Sequence, residues 1–181
     1  VDNSLLVFFR HNFSGTPIQI AAQAGNAKMI QVLLAGRGDP NERLEGAPSA
    51  LWFAASTQSA RSVEVLIAAN ADVRYRHCDG STPLHRAAGN CSDKNTAAAM
   101  TTMLLAAKAE PTRTVERKTP LHIAAAQWNG THAVKVLLDA KAITLCALEE
   151  PSTPLHLAVA SGDVATVELL LAAGSDPNRR D

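Results

Sequence analysis

An all-α solenoid of stacked helical repeats is the fold that this sequence of 181 residues predicts. Two observations lead to this prediction. A seven-residue motif recurs five times, and its copies begin 33, 33, 37 and 34 residues apart. Each copy is followed by a second apolar stretch and then by a turn of small and polar residues.

The motif predicts the first helix of each unit. Three copies, which start at Thr82, Thr119 and Thr153, share the pattern Thr-Pro-Leu-His-x-Ala, and two degenerate copies start at Thr16 and Ser49. A Thr or Ser hydroxyl caps the free amides of a helix start, and Pro is favoured at the first helical position because it has no N–H to leave unpaired. A short helix is therefore expected to begin directly after each of these residues.

The second apolar stretch predicts a second helix in each unit. These stretches are Val32–Leu34, Val65–Ile67, Met103–Leu105, Val136–Leu138 and Leu169–Leu171. Turns such as 38–41 and 175–178 follow, and an extended loop leads to the next motif. A unit of this size cannot bury both helices alone, so neighbouring units must cover the apolar faces.

The motif, its period and its turn resemble the ankyrin repeat family over about residues 12–181. The resemblance implies antiparallel helix pairs, β-hairpin-like loops on one side, and a concave binding surface made of loop tips and first helices. Five repeats are expected, at 16–48, 49–81, 82–118, 119–152 and 153–181. Residues 1–15 hold the apolar run Leu5–Phe9 and are interpreted as an N-terminal capping segment.

In the family, the motif Thr and His are understood to hydrogen-bond within and between repeats. The matching residues are Thr82, His85, Thr119, His122, Thr153 and His156. The first two repeats carry Gln19 and Trp52 at the His position, so a gap in this network is expected there. Trp52 is expected to fill space between repeats instead.

Composition excludes several classes of function. The chain has 17 basic and 17 acidic side chains, and this balance argues against a nucleic-acid or membrane binder. The three cysteines, Cys78, Cys91 and Cys146, are too widely spaced to indicate a disulfide framework or a cysteine zinc site. A reducing intracellular compartment, taken as the cytoplasm, is the expected location.

Neither metal binding nor catalysis is predicted. Packed helices lie about 8–10 Å apart, so the motif histidines of successive repeats are too far apart to share one ion. Cys78 follows His77, but neighbouring residues of an extended loop are expected to point to opposite sides, and a third orienting group is not evident. The chain is therefore interpreted as a non-enzyme without cofactor or metal.

Charged loop tips are the first candidate partner-binding residues, because loops on a rigid scaffold often carry binding. Two neighbouring tips are interpreted as basic and the following one as acidic. The candidates are Arg74, Arg76 and His77, then Arg113, Arg117 and Lys118, then Glu149 and Glu150. An acidic segment of a partner is predicted to lie over the basic tips, while ordinary solvated loop charges remain an equal alternative.

Further candidates lie on or beside the first helices: Gln23, Ser56, Arg86, Asn90, Gln127 and Trp128. Arg86 stands where the sister repeats are apolar, which either partner binding or a hydrogen bond to a nearby loop would explain. Trp128 is expected in an exposed turn of an aromatic-poor chain, as binding hot spots often are. The third repeat has five extra residues near 90–95, which predict a longer turn and an additional partial turn of helix.

The predicted function is recognition of a protein or peptide on the concave face. Two alternatives stay open. The chain begins without Met and stops where a further loop would start, which suggests a targeting or regulatory part of a larger enzyme or channel. Alternatively, the apolar face at Leu169–Leu171 stacks on another copy in a structural, self-associating array. The oligomeric state and the identity of the partner are not predicted.

Overall fold

The computed structural model describes residues 15–89, 93–112, 114–142 and 152–180, which form ten α-helices in five consecutive pairs. The first helices are α1 (Pro17–Gln23), α3 (Ala50–Ser56), α5 (Pro83–Gly89), α7 (Pro120–Ala125) and α9 (Pro154–Ser161). The second helices are α2 (Ala27–Ala35), α4 (Ala60–Ala68), α6 (Lys94–Ala106), α8 (Thr131–Asp139) and α10 (Val164–Ala172). The predicted capping segment, apart from residue 15, lies outside the described residues.

The helices form two layers. Each first helix contacts the first helix of the next pair, and each second helix contacts the second helix of the next pair. Contacts of this kind make a one-dimensional stack, so the prediction of an all-α solenoid is confirmed. The described residues contain no β-strand, but an isolated antiparallel bridge between Val115 and Lys118 gives the loop after the third pair a hairpin-like shape.

The first helices begin where the motif predicts. Before α1, α3, α7 and α9, a Thr or Ser side chain accepts a hydrogen bond from the backbone N–H of the third helical residue. Pro occupies the first position of α1, α5, α7 and α9. These caps satisfy amides that the helices themselves leave without partners, and they fix where each helix starts.

The motif His joins its helix to the preceding loop. In all three copies, the ring Nδ1 accepts the backbone N–H of the motif Thr at 3.2–3.3 Å and lies 2.8 Å from the Thr hydroxyl. His85 and His122 are almost fully buried. A buried polar ring must find such partners, because an unpaired one would cost the fold its desolvation energy.

The expected gap in this network is wrong at Gln19, whereas at Trp52 only the contact to the next loop is replaced. The Gln19 amide accepts the Thr16 N–H at 2.7 Å through Oε1 and donates to the Pro48 carbonyl at 2.6 Å through Nε2. The Trp52 indole N–H donates to the Ser81 hydroxyl at 2.8 Å. Different side chains therefore make hydrogen bonds at the same motif position.

Small residues set the spacing of the first-helix layer. One motif position is Ala in the first four pairs and is fully buried in each, at Ala22, Ala55, Ala88 and Ala125. Leucines of the same helices, such as Leu51, Leu84 and Leu121, are also fully buried. The short side chains let neighbouring helices approach closely, while the leucines fill the space between the two layers.

Hydroxyl and carboxylate groups join neighbouring pairs beside the turn between the two helices. Ser59 donates to the carbonyl of Gly25 in the preceding pair at 3.0 Å. Between the fourth and fifth pairs, the Thr131 hydroxyl donates to the carboxylate of Asp163 at 2.7 Å. Both Ser59 and Asp163 also cap their own second helix, so one side chain serves two contacts.

A second line of contacts joins the loops that follow the second helices. Asn41 donates through Nδ2 to the Asn70 carbonyl at 3.1 Å and accepts the Asp72 N–H through Oδ1 at 2.7 Å. One loop further on, Arg74 Nε donates to the Lys108 carbonyl at 3.3 Å. Asn70 and Lys108 both have left-handed backbone conformations directly after a helix, which orient their carbonyls similarly.

The third pair differs from the others as the sequence predicts. Its second helix, α6, has 13 residues, whereas the other four second helices have nine. Four residues make about one turn of helix. Residues 90–92 of the predicted longer turn lie outside the described residues.

The interpretation of Leu169–Leu171 as an exposed apolar face is only partly right. Leu170 is fully buried and Leu169 is half-buried, so Leu171 is the exposed one of the three. The other exposed large apolar residues of the last pair are Val159 and Val164. None of the described helices is long and apolar enough to cross a membrane.

Candidate functional site

An aromatic cluster centred on Trp52 lies where the second and third pairs meet. The Arg86 guanidinium lies over the indole face, 4.3 Å from its centroid, and the His77 ring lies 5.3 Å away. Phe53 contacts the same indole edge-to-face at 5.6 Å. A cation over an aromatic face is favourable, so Trp52 holds Arg86 in a defined position.

Asp79 holds the other side of Arg86. Its carboxylate accepts from the Arg86 guanidinium at 2.7 Å and from the hydroxyl and N–H of Ser81 at 2.6 and 2.8 Å. Partial burial raises the pKa of Asp79, but the Ser81 hydrogen bonds and the charges of Arg86 and His77 outweigh it and hold that pKa below 3.8. Arg86 thus bonds to a nearby loop, which is the second of the two explanations raised by the sequence.

These groups border a concave cleft of about 460 Å³ across the second, third and fourth pairs. First helices supply one part of its lining and the loops after the second and third pairs supply the rest. The lining residues are Ser56, Asp79, Ser81, His85, Arg86, Gly89, Val115, Glu116 and Ile123. The volume is in the range of ligand-binding clefts, and the lining offers polar, acidic and apolar contacts together.

Gly89 keeps the floor of the cleft narrow. A Cβ atom at this position would lie 2.8 Å from Cγ2 of Ile123 on α7, closer than side chains tolerate. A larger residue would therefore require the Ile123 side chain or one of the two helices to shift. Because α5 and α7 each contribute lining residues, their close packing gives the cleft a fixed shape.

The loop after the second pair is held by contacts with the preceding loop. Tyr75 donates its hydroxyl to the Ala47 carbonyl at 2.9 Å, and Arg43 lies over the Tyr75 ring at 4.7 Å. Burial raises the pKa of Tyr75 above 10.0, although the charge of Arg43 opposes this effect. Paired backbone bonds of 2.8 Å between Val115 and Lys118 hold the next loop. Contacts within the protein therefore hold both loops at the rim of the cleft.

The basic candidates have different surroundings. Arg74 is exposed and bonds to Lys108 in the next pair, and Arg76 is exposed beside the carbonyl of Gly80. His77 is half-buried against Trp52, while Arg117 and Lys118 are exposed at the tip of the next loop. These two loops are not purely basic, because Asp79 and Glu116 lie on them and line the cleft.

The remaining candidates are more dispersed. Gln127 is half-buried and Trp128 is 77% exposed in the turn between α7 and α8, and neither lines the described part of the cleft. The predicted exposure of Trp128 is confirmed. Asn90, Arg113, Glu149 and Glu150 lie outside the described residues.

The sequence did not predict that Asp79 and Glu116 line the cleft, and one predicted side-chain orientation is wrong. Asp79 and Glu116 were visible in the sequence beside the basic residues, but which charges face the cleft depends on how the loops turn. His77 and Cys78 were expected to point apart, yet Cys78 Sγ lies 3.3 Å from His77 Nε2. The chain turns at Cys78 and Asp79 instead of staying extended, which brings the two side chains together.

Comparison with known proteins agrees with the architecture. A family model described as ankyrin repeats in three copies matches residues 18–99 and 91–181. A curated relative, "Zygote-specific protein 3" of Chlamydomonas reinhardtii, is 42% identical over 65 residues, which are 36% of this chain and 17% of that protein. Repeats of this type are generally non-catalytic and mediate protein–protein interactions. With its stacked helix pairs and this match over most of its length, the chain belongs to the ankyrin repeat family.

Proposed function

We propose that this chain recognises a protein partner by binding an extended segment of it in the concave cleft. The observation that carries the proposal is the cleft itself, because loops and first helices of three successive pairs converge on it. The cleft is open, and its lining combines carboxylates and hydroxyls with the apolar side chains of Val115 and Ile123. An extended peptide presents both backbone polar groups and side chains, and this lining can accommodate both.

The rim suggests the chemistry of the partner. Arg76, Arg117 and Lys118 are exposed on the loops beside the cleft, and Arg86 inside the cleft lining pairs with Asp79. We infer that acidic side chains of the partner contact the exposed basic residues of the rim. Reversing such rim charges is expected to weaken binding, most strongly at low salt, because salt screens the attraction between exposed charges. We place this interaction in a reducing, cytoplasmic compartment.

A charge reversal on the rim tests the proposal. The tagged chain and its Arg76→Glu, Lys118→Glu variant are used to capture partners from a reducing cytosolic extract at low and at moderate salt. The matched control, Lys28→Glu with Lys135→Glu, makes the same charge change at exposed positions on second helices. We expect a partner that the parent and the control capture and the rim variant loses. Equal capture by all three proteins at low salt would contradict the proposal.

A further inference from the structure

Several polar side chains of the cleft lining are engaged with the protein itself. The Ser81 hydroxyl donates to Asp79 at 2.6 Å and accepts the Trp52 indole N–H at 2.8 Å. The buried His85 ring accepts the N–H of Thr82. These bonds hold the lining together, so a partner must find its hydrogen bonds elsewhere in the cleft.

Arg86 uses a single guanidinium nitrogen for its bonds within the protein. Nη2 donates to the Asp79 carboxylate at 2.7 Å and to the Ser81 hydroxyl at 3.3 Å. Nε is buried and, like Nη1, has no hydrogen-bond partner among the described residues. The side chain lines the cleft and is 39% exposed, so Nη1 keeps its N–H donors for a partner.

Asp79 offers an acceptor beside this donor. Its Oδ1 accepts both bonds from Ser81, whereas Oδ2 accepts only from Arg86 within the described part of the chain. A carboxylate oxygen can accept more than one hydrogen bond, so Oδ2 has capacity for a further N–H. Arg86 and Asp79, which we call the clamp, therefore present a donor and an acceptor side by side while their charges cancel.

The clamp is fixed in position and occurs at one level of the stack. The Trp52 indole lies under the guanidinium at 4.3 Å, and the Ser81 bonds hold the carboxylate. Groups held in this way lose little conformational freedom when they bind. The residues equivalent to Arg86 in the other first helices are apolar and cannot repeat the contact: Ile20, Phe53, Ile123 and Leu157.

An extended segment that enters the cleft exchanges water for protein around its main-chain N–H and C=O groups, and each of these groups needs a new partner. In an extended chain, the N–H and C=O of one residue point to the same side. A clamp with one donor and one acceptor matches this arrangement. Because its charges cancel, the clamp does not select a charged side chain.

Resting on the proposed function, we propose that the clamp binds the main chain of the partner segment. Arg86 Nη1 donates to the carbonyl of one residue, and Asp79 Oδ2 accepts the N–H of the same residue. The clamp thereby fixes how far along the cleft the segment lies. The basic residues of the rim then contact the acidic side chains of the segment.

Ester substitution in a bound peptide tests this contact. The probe is a peptide selected from a displayed library of random linear sequences, and a photoreactive residue at position 116 checks that it lies in the cleft. Each main-chain amide of the peptide is replaced in turn by an ester, which removes an N–H and weakens the carbonyl as an acceptor. For the parent chain, we expect the ester at the carbonyl that Arg86 contacts to lower the affinity about three- to tenfold.

The Arg86→Leu variant shows whether this effect depends on Arg86. It is expected to bind the unmodified peptide more weakly, and the same ester is expected to have little further effect because the bond is already lost. Arg61→Leu, which removes an exposed, ion-paired Arg on α4, is the matched control and should respond like the parent. Circular dichroism checks that both variants keep their helices.

The other outcomes separate failure of the clamp from failure of the proposed function. Equal effects of every ester on the parent and on Arg86→Leu would contradict the main-chain contact and leave binding in the cleft intact. If changing one Asp or Glu of the peptide to Asn or Gln abolishes the dependence on Arg86, then Arg86 binds a carboxylate and the proposal is overturned. If no selected peptide crosslinks to position 116, binding of an extended segment in the cleft fails, and the clamp fails with it.

Discussion

Asp163 is a single side chain on which the attachment of the last helix pair depends. Its carboxylate caps α10 through the Thr166 N–H and accepts from the hydroxyls of Thr131 and Thr166 at 2.7 and 2.8 Å. Partial burial raises the pKa of Asp163, but these hydrogen bonds outweigh it and hold that pKa below 3.8. The charged carboxylate is therefore the form that the folded chain prefers.

Replacing Asp163 with Ala is expected to lower the free energy of unfolding by about 1–2 kcal/mol at neutral pH, since a helix cap and the bond to the fourth pair are lost. A group whose pKa is lower in the folded chain stabilises the fold above its ordinary pKa. The difference between parent and variant is thus expected to shrink as the pH falls below about 4, through the folded-state pKa. Urea unfolding of both proteins from pH 7 to pH 3 measures this difference in the free energy of unfolding.

Glu168→Ala serves as the control for this prediction. Glu168 is exposed on the same helix and, unlike Asp163, does not cap it. This variant is expected to unfold like the parent at each pH. A difference between parent and Asp163→Ala that stays constant across the pH range would show that the carboxylate charge contributes nothing.

The residue types in the sequence predicted only some of the contacts in the candidate site. Arg86 could be recognised as an exception because its counterparts in the other repeats are apolar. Its contacts with Trp52 and Asp79 could not be foreseen, because they depend on where the preceding helix and loop place those residues. Gln19 replaces the motif His in the first repeat. Its side-chain amide nevertheless accepts from the Thr16 N–H and donates to the Pro48 carbonyl.

At the scale of the helical elements, the turn between α7 and α8 depends on Gly130. Gly130 lies at the start of α8, and a Cβ atom there would lie 1.9 Å from the carbonyl oxygen of Ala124. The obstacle is backbone, so it cannot move aside as a flexible side chain would. Only glycine fits at this position without shifting one helix relative to the other.

Gly130→Ala is expected to destabilise the chain by about 1–3 kcal/mol, the usual cost of overpacking. Gly36→Ala is the matched control, because Gly36 ends α2 with φ −78° and its nearest obstacle is a carbonyl oxygen at 3.3 Å. That variant is expected to change stability by less than about 1 kcal/mol. Thermal unfolding of the two variants and the parent measures these changes in stability. Equal stability of the Gly130→Ala and Gly36→Ala variants would contradict the clash assigned to Gly130.

Helices were predicted more completely than loops for a physical reason. A helix start depends on local groups, a hydroxyl cap and a Pro, which the sequence shows directly. The extra turn of α6 was similarly visible as added residues with helical preference. The loops depend on contacts between units, such as those of Tyr75 with Ala47 and Arg74 with Lys108, which no local pattern reveals.

At the scale of the whole molecule, the cleft lies along the side of the stack, where loops and first helices of successive pairs meet. A stack whose pairs contact only their neighbours keeps this side open however many pairs it has.

The period of the motif was enough to predict the stack as a whole. The repeat requires that each pair be covered by the next, and this requirement fixes the order and direction of the helices. It does not determine which charges border the cleft. Asp79, which pairs with Arg86, and Glu116 place two carboxylates in the lining below a basic rim, and this distribution follows from the turns of the loops.

A photo-crosslink from the cleft is the most direct measurement of where the partner binds. A photoreactive amino acid replaces Glu116, an exposed residue of the cleft lining, or Lys135, an exposed residue of α8 in the second-helix layer. Irradiation in a reducing extract is followed by mass spectrometry of the crosslinked products. We expect an acidic segment of one partner to be joined to position 116 and not to position 135. Crosslinking of the same partner through position 135 alone would contradict binding in the concave cleft.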